Sequence, residues 1–167
     1  MLFRSALRWG WLTLLAVFGG FLAAVPSRAE DLFEAADGLV AKYAGQLETL
    51  AAWCDQQGLD AQAKQTRRWL RREDPSRLYI AVLPREVGPP APPEDEPKNV
   101  AQWRERFWKL RIEQATALET LARRAVLAGR ASLAFSLVLA AIRENPDHDG
   151  IRRLLGYQKY QGNWQTL

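Results

Sequence analysis

The sequence predicts an all-α protein, on three observations. Apolar residues recur at steps of three and four over Leu32, Ala36, Leu39, Val40, Tyr43, Leu47, Leu50 and Cys54, the period of one helix face. The pentapeptide LETLA occurs twice, at Leu47–Ala51 and at Leu118–Ala122. Glycine and proline then follow each copy at the same distances, Gly58 and Pro75 after the first, Gly129 and Pro146 after the second.

Aligned at an offset of 71 residues, Gln46–Pro75 and Ala117–Pro146 are identical at ten of thirty positions. The matches include Ala63 with Ala134, Arg72 with Arg143 and Glu73 with Glu144. Shared spacing of this kind marks a duplicated unit. In each copy LETLA ends the apolar stripe of one helix, and the glycine stops it, because a left-handed backbone costs little there. A second helix runs to Arg-Glu-Asp-Pro or Arg-Glu-Asn-Pro, where proline cannot continue it. The alanines at 51, 122, 63 and 134 sit where two packed helices approach closely. Each unit therefore reads as an antiparallel helical hairpin.

In chain order, residues 1–29 read as a secretory signal peptide. Arg4 and Arg8 start it, Trp9–Ser27 carries no charge, and Ser27-Arg28-Ala29 places small residues at the first and third positions of a cleavage site. The uncharged run of 19 residues is close to the ~20 that span a bilayer, so an uncleaved membrane anchor is the alternative. The domain is then 30–167. Its first helix starts near Asp31 and its second spans Asp60–Glu73, polar on much of its surface. Within 75–98, Leu78–Leu83 is apolar and β-branched and reads as an extended segment, and Val87–Pro97 (VGPPAPPEDEP) as a Pro-rich acidic linker. Asn99 is placed to cap a third helix reaching Ala128. The fourth, Ala131–Ile142, is apolar at ten of twelve positions, which predicts a central helix. Asp147 is placed to cap a fifth, carrying Ile151, Leu154, Leu155 and Tyr157.

The spacing resembles the tetratricopeptide repeat. Counting back from Pro146 puts Leu118, Leu121, Ala122, Ala134, Val138 and Ala141 on that family's core positions, and counting back from Pro75 does so for Leu47, Leu50, Ala51 and Ala63. A third unit would begin near Asp149, with Leu155-Gly156 on the family's Leu-Gly pair. Arg67 stands where the family has a large apolar residue, Cys54 and Ala125 where it has an aromatic, and about 37 residues are inserted between the copies. The resemblance implies paired helices that bind protein segments. The stretch Asn145–Tyr157 with Gly162-Asn-Trp164 also resembles part of uncharacterised exported bacterial proteins, in which further sequence often follows.

Composition narrows the chemistry. Of 23 basic residues, Arg4, Arg8 and Arg28 lie in the leader, leaving 20 against 19 acidic, so the body is nearly neutral and has no general attraction for nucleic acid. One histidine, His148, and one cysteine, Cys54, give no zinc ligand set and no intramolecular disulfide. His148 between Asp147 and Asp149 reads as turn and capping chemistry rather than part of a catalytic triad. Cys54 falls on the core stripe. No glycine-rich phosphate loop occurs, and no cofactor, metal or catalytic residue is expected.

The candidate partner-binding residues are Arg67, Arg68, Arg71 and Arg72, which flank an aromatic at helical spacing, and Trp103 and Trp108 beside Phe107. A solvated face is the more ordinary reading of the arginines, and a core role that of the tryptophans. The expectation is an exported, non-catalytic interaction or scaffold module, secreted or periplasmic, with a protein or peptide partner. The alternatives are the N-terminal helical module of a larger exported enzyme and a membrane-anchored envelope protein.

Overall fold

A computed structural model describes residues 30–69 and 91–166. The signal segment, the extended segment at 78–83, Arg71, Arg72 and the first part of the Pro-rich linker lie outside the described residues. The fold is mainly α: α1 (Glu30–Gln56), α2 (Asp60–Trp69), α3 (Lys98–Leu127), α4 (Ala131–Glu144) and α5 (Asp149–Leu154), followed by β1 (Tyr157–Tyr160) and β2 (Asn163–Thr166).

The two glycine turns are built alike. Gly58 and Gly129 have φ of 69° and 71°. Leu59 N donates to Cys54 O at 2.9 Å, and Arg130 N to Ala125 O at 2.8 Å. Gly58 N donates to Asp55 O and Gly129 N to Val126 O, at 3.1 and 2.9 Å. Every one of these bonds recurs at the 71-residue offset, and together they form a Schellman motif, which satisfies the last carbonyls of α1 and α3. The matched small residues are buried: Ala51 and Ala122 at 0% and 1% exposure, Ala63 and Ala134 at 2% and 5%.

The two pairs face each other in opposite senses. Asp31, at the start of α1, lies 3.9 Å from Arg124 near the end of α3. Trp53, near the end of α1, carries the Arg106 guanidinium from the first part of α3 over its ring at 4.4 Å. α1 and α3 therefore run antiparallel, and the units are related by a rotation near a half-turn. A solenoid repeats by small rotations in one sense. Tyr43 and its equivalent Gln114 fall between those two contacts, and both are buried. Two apolar clusters result: one joins Leu32 to Leu118, Leu121, Val138, Ile142 and Ile151, the other joins Leu47, Leu50, Cys54 and Ala63 to Trp103 and Phe107.

Several sequence expectations need correction. α3 begins at Lys98 after Pro97, and Asn99 does not cap it; its Oδ1 accepts from the Val100 N–H. α4 is not central on all sides, since Phe135 is 58% exposed. Asp147 does not cap α5. His148 does, Nδ1 accepting from Ile151 N at 3.5 Å, while Asp147 accepts from the Trp164 indole at 2.7 Å and Lys159 at 3.0 Å. The fifth helix stops at Leu154. Gly156 turns with φ 82°, and Tyr157 opens an antiparallel hairpin paired Tyr157 to Thr166 and Tyr160 to Asn163. A two-stranded hairpin is marginal alone. Here Trp164, 1% exposed, anchors it against the buried Arg152, whose guanidinium also lies 4.9 Å from the Tyr157 ring.

Candidate interaction surfaces

The last residues of α2 and α4 meet the middles of α1 and α3 at one buried carboxylate. Glu144 Oε2 accepts from the Tyr43 hydroxyl and from Trp69 Nε1, each at 2.8 Å, and lies 3.5 Å from Arg111 Nε. Trp69 O accepts from Arg143, and Arg143 O accepts from Arg111, each at 3.0 Å. The Arg111 guanidinium lies between Trp69 at 4.2 Å and Trp108 at 4.8 Å. A carboxylate this buried must be paired and hydrogen-bonded to persist, and three other helices supply the partners. Burial, and then the neighbouring Glu144 carboxylate, hold the Tyr43 hydroxyl far above the usual phenol value. Burial draws the Arg111 guanidinium down, with Glu144 opposing it. The Tyr43 hydroxyl and the Trp69 indole converge on one carboxylate oxygen, so the node fixes the helices' register.

Of the sequence candidates, Arg67 is engaged at home. Its Nη2 lies 2.6 Å from Asp55 and its Nε 3.0 Å from Glu48, joining α2 to α1. Arg68 is exposed. Trp103 is 8% exposed: its ring stacks on Phe107 at 5.4 Å and its indole N–H donates to Thr66 at 2.9 Å. It is a core residue and offers no recognition surface. Trp108 is half-buried and lines a depression of about 430 Å³ with Ala91, Pro92 and Arg104, beside the Arg104–Glu96 ion pair. Cys54 is fully buried, and desolvation raises its thiol pKa. Among the described residues no cluster of three or more His, Cys, Asp or Glu could hold a metal ion.

The open surface that sequence reasoning missed is the seam between α1 and α3. A groove of about 490 Å³ has Leu50, Trp53 and Leu110 on its apolar side and Arg106, Lys109 and Glu113 on its rim. A second depression, about 580 Å³, flanks Trp53 across Thr49, Ala52 and Gly45. Gly45 leaves it open, since a Cβ there would meet nothing within 4 Å. The groove is formed by residues more than fifty positions apart in the chain, from Trp53 with Arg106 to Gln46 with Glu113, so no local motif announces it. Compared with known protein families, curated proteins and solved structures, the chain finds no match.

Proposed function

We propose that the chain is an exported, non-catalytic interaction scaffold that offers the α1/α3 groove to a protein or peptide segment. The observation that carries this reading is the groove itself: an apolar floor of Trp53 and Leu110 with Arg106 and Lys109 on its rim, neither in an ion pair among the described residues. An apolar anchor ringed by polar groups is the anatomy of a peptide-binding surface. The tetratricopeptide-like spacing within each unit supports it further, by analogy of fold alone. The opposed stacking gives a short seam rather than an extended superhelical groove, which suits a short segment. The leader's composition supports export.

Site-specific photo-crosslinking of the full chain in envelope extract tests this. A crosslinker at Thr49, beside the groove, should give a saturable adduct that Trp53→Ala or Lys109→Glu abolishes, and one at Gln65, exposed on α2, should not. If neither position gives a saturable adduct, the binding reading fails.

A further inference from the structure

Trp53 and Trp69 each carry an α3 arginine over the ring, and among the described residues only one of these two arginines has its charge met. Arg111 lies over Trp69 at 4.2 Å, with the Glu144 carboxylate 3.5 Å from its Nε and its Nη2 donating to Arg143 O. Arg106 lies over Trp53 at 4.4 Å and makes no hydrogen bond or ion pair among the described residues. Lys109, one turn further along α3, makes none among them either. On α1, Glu48 and Asp55 are both taken up by Arg67, at 3.0 and 2.6 Å. Glu113 is the acid on the groove's rim, one turn beyond Lys109.

A guanidinium resting on a ring uses its face and leaves its N–H fork for a planar acceptor, a carboxylate above all. Because the ring holds the plane, less side-chain freedom is lost when that acceptor arrives. The complete arrangement exists in this chain at Arg111, where the acceptor is Glu144. At Arg106 the apolar surface of Leu50, Trp53 and Leu110 lies next to the fork. An occupant that satisfies both carries a carboxylate beside a large apolar side chain. Two cations one turn apart, bounded by Glu113, fit one or two acidic residues rather than a long acidic run. The floor also continues past Trp53. Thr49 and Trp53 line both this groove and the depression beside it, and a Cβ on Gly45 would meet nothing within 4 Å. A segment can run on beyond the ring, so the carboxylates belong to side chains within a segment and not to a chain end.

We propose that the α1/α3 groove selects an internal acidic segment of a partner protein, with one or two Asp or Glu side chains on Arg106 and Lys109 and an adjacent apolar side chain on Trp53. This rests on the groove's being the binding surface and adds the chemistry it takes. The nearly neutral body has no general attraction for polyanions, so the selectivity is local to these two cations.

The test holds the full chain on beads and offers a pool of short synthetic peptides, acetylated and amidated so that neither end is charged. Each has leucine or phenylalanine at its centre and random flanks, and retained peptides are sequenced by mass spectrometry. The retained set should be enriched several-fold in Asp and Glu close to the central residue. Arg106 and Lys109 are exposed, so both can be replaced without disturbing the core. Arg106→Gln with Lys109→Gln should remove the enrichment, and Arg106→Glu with Lys109→Glu should reverse it towards Lys and Arg. Retention that Trp53→Ala abolishes but that shows no acidic preference would overturn this proposal and leave the groove as a binding surface. Acidic enrichment that survives the double Gln variant would overturn it too. A parallel pool with free C-termini separates the remaining case, since a preference for the terminal carboxylate alone would refute an internal segment. No retention above that of Trp53→Ala would overturn both this proposal and the reading of the groove on which it rests.

Discussion

α2 and α4 begin after the same turn, yet α2 buries Ala63 and Thr66 among its ten residues and α4 buries six of its fourteen. The difference lies in what covers them. α2 packs mainly on α1, whereas α4 packs along α3 and also touches α5. The residues shared by the two units set the turn and the closest helix approach. The residues they do not share set the depth: α2 presents Lys64, Gln65 and Arg68 to water, and α4 presents Leu137, Val138 and Ile142 to the core. Duplication in this chain copies a joint and leaves its surroundings free to diverge.

The largest effect should come from the point where both units meet. Glu144→Ala removes the acceptor for Tyr43 and Trp69 and the counter-charge for Arg111. Breaking a buried pair on one side costs about 3–5 kcal/mol, to be read from denaturant unfolding. A loss near zero would mean that the four helices are not joined there. Glu144→Gln keeps an acceptor and should cost less.

The same node has an alkaline signature. Burial and then Glu144 raise the Tyr43 pKa. A raised pKa means that the hydroxyl's contribution is complete below the ordinary phenol value, about 10, and is lost as pH rises beyond it towards the folded value. Absorbance titration should show one tyrosine that ionises only with unfolding, and in Glu144→Gln the onset should move to lower pH.

Matched substitutions sharpen the comparison of the two joints. Ala63→Leu and Ala134→Leu each overpack a tight helix crossing, and overpacking costs about 1–3 kcal/mol. Ala134→Leu should cost more, because α4 buries more of its residues than α2 does. Unchanged melting temperatures for both would refute the close approach. Gly58→Ala and Gly129→Ala should each cost about 1–2 kcal/mol, because both residues hold positive φ with open space around them. Equal losses are expected, and a large inequality would show that the turns differ in solution.

The helices were legible because their signals are local: a three-four apolar period, glycine stops, and alanines at fixed offsets. The start of α1 and the end of α3 each fall within one residue of expectation. What the sequence concealed depends on distant residues. Glu144 stands 101 positions from Tyr43 and 75 from Trp69, and its only local trace is a carboxylate closing an apolar helix. The sequence carries the fifth helix on to Tyr157, the first residue of the hairpin, because Leu154, Leu155 and Tyr157 continue the apolar pattern. Gly156 breaks it, and the anchor that makes two strands worth forming, Trp164 on Arg152 and Asp147, is a tertiary contact. The opposed sense of the units was equally hidden, since the offset gives the size of the repeat and says nothing of its rotation.

The smallest expected effect concerns an exposed cluster of charges joining α2 to α1. Arg67 bridges Asp55 and Glu48 on the α1/α2 surface, where all three side chains are at least 40% exposed. Exposed pairs are screened by water and salt, so Arg67→Ala should leave the melting temperature nearly unchanged. Its effect should appear in titration instead. The Arg67 hydrogen bond holds the Asp55 carboxyl below the ordinary aspartate range. A depressed pKa gives a contribution that is present above the unfolded value, about 3.9, and is lost as pH falls through the folded value. Carboxyl chemical shifts should show Asp55 titrating low in the wild type and in the ordinary range in Arg67→Ala. If Asp55 titrates normally in both, the bridge does not form in solution. Arg67 would then be free beside Arg68, and the basic face of α2 would compete with the α1/α3 groove as the place where a partner binds.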